Sequence, residues 1–125
     1  MSNYFVEESF KTPKIVGDSI LGTLVLSGRS LPEDAKNFYQ PFREWLHLFY
    51  GTKSNQISVT LDLEYFNTAS SKFIVNMLFG LEKLQTTKKV IVKWMYDEED
   101  VEMLETGQDF KNLFGDMITM ETKTI

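Results

Sequence analysis

Apolar and polar residues alternate most regularly at Ile57, Val59, Leu61 and Leu63, with Ser58, Thr60, Asp62 and Glu64 between them. A period of two marks a strand buried on one face. The period then changes, because Phe73, Ile74, Met77, Leu78, Leu81 and Leu84 recur at helical spacing. A second helical stripe runs through Ala35, Phe38, Tyr39, Phe42, Trp45, Leu46 and Phe49. Pro41 falls inside it, and a lost N–H together with a ring clash predicts a kink there. Ser30 and Glu33 have capping-box spacing just upstream, with Pro32 and acids in the expected first turn. Residues 51–55 read as the exit loop.

Residues 4–6 and 14–16 are short extended segments broken at Thr12-Pro13. Gly17-Asp18-Ser19 reads as a turn and residues 23–27 as the returning strand, so the first quarter is expected to be antiparallel. After the polar turn at residues 86–89, residues 90–96 form a second strong strand, apolar except at Lys93. Asp97-Glu98-Glu99-Asp100 opens a short acidic helix with Val101 and Leu104 facing inward and Gly107 as its stop. Phe110, Leu113 and Phe114 continue in a helical or irregular segment, and residues 117–121 form a last strand. Strands alternating with helices predict parallel crossovers. The alternation at residues 57–63 leaves one sheet face partly solvated, which places the helices on the other. The expected architecture is α/β, a single domain over residues 1–125 with a mixed sheet of about five or six strands and helices mainly on one face.

Composition narrows the chemistry. The chain carries a net charge of −5 and no basic run longer than Lys88-Lys89. Nucleic acid and anionic membrane surfaces are therefore disfavoured as partners, since both recruit clustered cations. No apolar stretch approaches the roughly 18 residues of a spanning helix, and residues 1–10 lack a signal-peptide pattern, so a cytoplasmic protein is expected. The absence of cysteine removes thiol nucleophiles and thiolate metal sites. The sole histidine, His47, lies mid-helix and reads as a surface or boundary residue rather than a general base. The acids from Asp97 to Glu105 lack calcium-loop spacing and read as residues favouring a helix N-terminus. Neither cofactor nor metal is expected.

One segment joins the strand to the helix: Glu64-Tyr65-Phe66-Asn67-Thr68-Ala69-Ser70-Ser71-Lys72. Asn67 or Thr68 caps the helix in the plainest reading. A phosphoryl group would also meet free backbone N–H groups there, with Lys72 one turn on.

Several motifs in order resemble the bacterial SiaC family of regulatory phosphoproteins. They are Gly28-Arg29-Ser30-Leu31-Pro32-Glu33-Asp34-Ala35, Phe38-Tyr39-Gln40-Pro41 with Trp45-Leu46, Leu61-Asp62-Leu63-Glu64-Tyr65-Phe66-Asn67-Thr68, and Trp94-Met95-Tyr96-Asp97-Glu98-Glu99-Asp100. The resemblance implies a STAS-like fold, similar to anti-sigma-factor antagonists, and no catalysis. It implies a switch in which a partner kinase phosphorylates a threonine and a PP2C-type phosphatase reverses the step. The unphosphorylated form then binds an effector, a diguanylate cyclase in the best-known systems. By residue match the threonine is Thr68. Ala69 stands where the family motif carries serine, and Ser70 and Ser71 are secondary acceptors. Asn67, Ala69 and Lys72 form the expected phosphate and cap environment, and Tyr65, Phe66 and Ser70 the expected partner surface. The alternative is a ligand-sensing STAS-like domain that binds a nucleotide or another small molecule.

Overall fold

A computed structural model describes residues 3–123. Six strands stand in chain order across one mixed sheet: β1 (Asn3–Val6), β2 (Lys14–Asp18), β3 (Thr23–Ser30), β4 (Gln56–Phe66), β5 (Lys89–Asp97) and β6 (Ile118–Lys123). β1, β2 and β3 pair antiparallel, and β3 to β6 pair parallel. The three crossovers carry α1 (Ala35–Tyr50), α2 (Thr68–Lys83) and α3 (Val101–Phe114). This is the α/β class the periodicities predict, with the antiparallel start and the parallel remainder both in place.

One sheet face carries the core. Ile15, Leu26, Leu61 and Trp94 sit side by side on consecutive strands, and Leu24, Val59, Val92 and Ile118 form the next row. All eight are buried, against Phe42, Phe49, Ile74 and Leu78 of the helices. The opposite face, which includes Val16, Val25, Thr60 and Lys93, is partly or fully exposed. Burial of apolar area on the covered face is the main favourable contribution to folding, at about 25 cal/mol per Å².

Three local expectations, the capping box at Ser30, the inward face of the third helix and its stop at Gly107, are corrected. Asp34 caps α1, with Oδ1 accepting from the Asn37 N–H at 3.2 Å. Ser30 ends β3 instead of starting a capping box, and Glu33 pairs with Lys11 at 2.9 Å in solvent. α1 runs without a break through Pro41, whose ring leaves the Asn37 carbonyl without its usual helical donor. In α3 the inward face is Met103, Gly107, Phe110 and Phe114, while Val101 is exposed. Gly107 is not a stop; α3 continues for two further turns to the left-handed Gly115. Among the described residues no helix is long and apolar enough to cross a membrane.

Tyr50 ends α1 with its hydroxyl donating to the Met77 carbonyl at 3.4 Å, and burial pushes its pKa up to about 12. An unfolded tyrosine ionises near pH 10. The raised value therefore contributes stability that is complete below about pH 10 and is lost as pH climbs from about 10 to 12. Denaturant midpoints across that window should fall more steeply for the native protein than for Tyr50→Phe. Parallel curves would exclude Tyr50 as the cause.

Candidate functional site

The end of β4 is shaped by an irregularity opposite Gly28. Gly28 pairs with Leu63 but Arg29 pairs with Tyr65, so Glu64 is an extra residue on β4. Gly28 has a φ of 100°, a value that residues with a Cβ rarely adopt. The extra residue changes the phase of the alternation. Phe66 consequently turns toward the core beside Ser30, which keeps the inward phase of Leu24 and Leu26 on β3, and Phe66 meets Trp94 edge to face at 6.0 Å. Tyr65 is left 52% exposed, and Glu64 points outward to Arg29 at 3.2 Å.

α2 begins immediately afterwards. Asn67 is its cap, with Oδ1 accepting from the Ser70 N–H at 2.9 Å, and the Asn67 N–H is tied to the Ser30 carbonyl at 3.0 Å. The first helical N–H groups, those of Thr68 and Ala69, have no intrahelical acceptor. Thr68, Ala69 and Lys72 are exposed and Ser71 is half-buried. The three hydroxyls of the segment are thus unequal. Thr68 presents Oγ1 to solvent beside unpaired amides, an environment that tolerates a phosphate.

Ser70 is fully buried and cannot form part of a docking surface, which corrects its place in the expected interface. Its hydroxyl donates to the Ser30 carbonyl at 3.1 Å, while the Ser30 hydroxyl donates to Ser70 Oγ at 2.7 Å. Tyr39 of α1 completes the group by donating to Ser30 Oγ. Burial pushes the Tyr39 phenol up, against the opposing pull of its bonds to Ser30 and Ser70, so it remains a donor. These three hydroxyls clamp the start of α2 to β3 and α1. Their partners lie 9 and 40 residues apart in sequence, so no local spacing announces them.

Two cavities flank the segment. The larger, of about 420 Å³, is lined by Glu64, Asp97, Glu99 and Asp100 facing Lys123. Asp97 and Asp100 are occupied with local turns, accepting from the N–H groups of Glu99 and Met103. Among the described residues no three histidine or carboxylate side chains are placed to hold a metal. A nucleotide in this cavity would set its phosphates against four carboxylates, which weighs against the ligand-sensing alternative. On the other side of α2, a groove against α1 is lined by Lys36, Arg43 and Lys72. Lys123 reaches Asp62 at 2.7 Å on the open sheet face, a close ion contact outside hydrogen-bond geometry.

Comparison with known proteins places this arrangement. A family model described as SiaC family regulatory phosphoprotein matches residues 6–123. An uncharacterized protein of Pseudomonas aeruginosa (strain UCBPP-PA14) is 29% identical over 112 residues, 89% of each chain. The crystal structure of apo-SiaC from Pseudomonas aeruginosa superposes with a TM-score of 0.87 at 27% identity, covering 97% of this chain and 99% of that one. SiaC in the crystal structure of the diguanylate cyclase SiaD with its activator SiaC, from the same organism, is similar at a TM-score of 0.88 and 25% identity. The match there covers 96% and 99% of the two chains.

Proposed function

The chain belongs to the SiaC family of regulatory phosphoproteins, and from that premise we propose that it is a non-enzymatic, phosphorylation-controlled activator of a partner protein. A kinase transfers the γ-phosphoryl group of ATP to Thr68 Oγ1, with release of ADP and the hydroxyl proton, and a PP2C-type phosphatase hydrolyses the ester. The unphosphorylated form docks on its effector, a diguanylate cyclase by analogy with the SiaC–SiaD complex. The observation that carries this reading is the exposure of Thr68 at the first position of α2 while its neighbour Ser70 is buried and Ser71 half-buried.

The surface around Thr68 includes exposed Tyr65, half-exposed Phe66 and Ala69, which offer apolar area for a partner to cover. The phosphate acts on docking more than on folding. At a helix N-terminus it contributes only about 0.3–1 kcal/mol, up to about 2 when partly buried. A full two-state reversal needs about 5.5 kcal/mol of differential binding. A group of about −1.5 to −2 charge enclosed in an interface supplies the difference by desolvation and repulsion.

Incubation with the cognate kinase and ATP, followed by phosphopeptide mapping, tests the assignment. The label is expected within residues 65–72 and should disappear in Thr68→Ala. A phosphate elsewhere would remove Thr68 from the mechanism.

A further inference from the structure

The basic groove between α1 and α2 has two adjoining parts, of about 190 and 180 Å³, that share Arg43, Phe73 and Asn76. Lys36, Arg43 and Lys72 supply its charge, and no carboxylate lines either part. Ion pairs among the described residues use Lys11, Arg29, Lys93 and Lys123, so these three cations are uncommitted. Arg43 is held in place by the Phe73 ring, 5.7 Å from its guanidinium carbon. The protein as a whole has a net charge of −5, and its larger cavity on the far side of α2 is lined by carboxylates. Thr68 itself lines neither. Ala69 and Lys72, the residues one and four positions after it, line the basic side.

Each part of the groove is smaller than the roughly 300 Å³ at which pockets for drug-sized ligands begin. A single phosphoryl group is the better match in size and charge, and the nearest source of one is residue 68. We propose, on the reading that Thr68 is the modified residue, that this groove is the receptor for its phosphoryl group. The new charge is repelled by Glu64 and Asp100 and drawn to Lys36 and Arg43 of α1 and Lys72 of α2. Phosphorylation then ties the first turn of α2 to α1 and cancels the positive potential of the groove. The modified protein differs from the free form in the surface beside Thr68 as well as at Thr68 itself.

The test is a phosphorus NMR titration of protein carrying phosphothreonine at position 68, installed during translation so that no kinase is needed. All samples carry His47→Gln, so that the side chain at the end of the groove contributes no charge to the comparison. The second phosphate pKa is expected below its ordinary value of about 6. Lys36→Gln with Arg43→Gln should raise it by about 1 unit, since opposite charges within a few ångströms depress an acid by that order. Lys72, Glu64 and Asp100 are present in both samples and cancel. The paired substitution should also lower the melting temperature of the phosphorylated protein more than that of the unphosphorylated protein, which loses only the Arg43–Phe73 contact, and the difference separates the latch from a general loss of fold. Identical pKa values in the two backgrounds would overturn the proposal. So would an unchanged pKa accompanied by weaker effector binding of the unphosphorylated double variant, which would give the groove to the partner. Failure of the kinase to label Thr68 would count against the switch reading alone, because the titration does not depend on it.

Discussion

Thr68→Asp is expected to weaken effector binding at least 100-fold, and phosphothreonine at the same position more strongly still. A 100-fold loss is about 2.7 kcal/mol. That lies within the cost of enclosing an uncompensated charge in an interface and above what a helix-terminal charge can do locally. The structure makes the substitution a clean probe. Asn67, not Thr68, caps α2, so the exchange leaves the capping bond to Ser70 intact. A carboxylate in the first turn favours the helix dipole, so the melting temperature should hold or rise slightly. Thr68→Ala removes the acceptor without adding charge and should bind the effector within a few-fold of the native protein. Calorimetry on the three proteins separates the possibilities. Equal affinities would show that residue 68 lies outside the docked surface. Loss in both variants would show that the hydroxyl itself is a contact, in which case repulsion is not the switch.

Much of this arrangement was legible in the sequence, and the parts that were not share a physical cause. Alternation at Ile57 to Leu63 and helical stripes at Phe42 to Phe49 and Phe73 to Leu81 are local consequences of one-sided burial, so spacing alone reveals them. The strand-to-helix junction was equally readable, since Asn67-Thr68 follows the last alternating residue and precedes the helical stripe. The residues that organise the junction were not. Ser30 carries the spacing of a capping box, yet its hydroxyl serves Ser70, 40 residues away, across two strands. Its burial continues the inward phase of Leu24 and Leu26 on β3, while the extra residue Glu64, which turns Phe66 inward beside it on β4, has only Gly28 as a sign in the sequence. The basic groove likewise joins Lys36 and Arg43 to Lys72 through the packing of two helices. Isolated lysines and arginines on separate helices do not form a run, and a search for runs passes over them.

Gly107 shows the same effect in the core and leads to the largest stability change expected here. A glycine after an acidic helical turn reads as a stop, because glycine costs about 1 kcal/mol relative to alanine inside a helix. α3 bears that cost and continues to Phe114. The reason lies in the sheet. A Cβ on Gly107 would lie 2.4 Å from Trp94 Cδ1 and 2.6 Å from Met120 Cε. Trp94 has little room to yield. It is 1% exposed, Phe110 packs edge to face on it at 5.2 Å, and its Nε1–H donates to the Met103 carbonyl at 3.0 Å. Gly107→Val should therefore destabilise the protein by about 3 kcal/mol, the upper part of the range for overpacking a filled core, despite its better helix propensity. Gly107→Ala should cost less, about 1 kcal/mol, because overpacking exceeds the propensity gain by only that much. The diagnostic is the pair with Trp94. Trp94→Phe alone opens space and is destabilising, but combined with Gly107→Val it should recover more than 1 kcal/mol relative to the sum of the single changes. Urea unfolding of the four proteins measures this coupling. Additive losses would mean that α3 is free to move off the sheet, and that the glycine is not what lets helix and tryptophan meet.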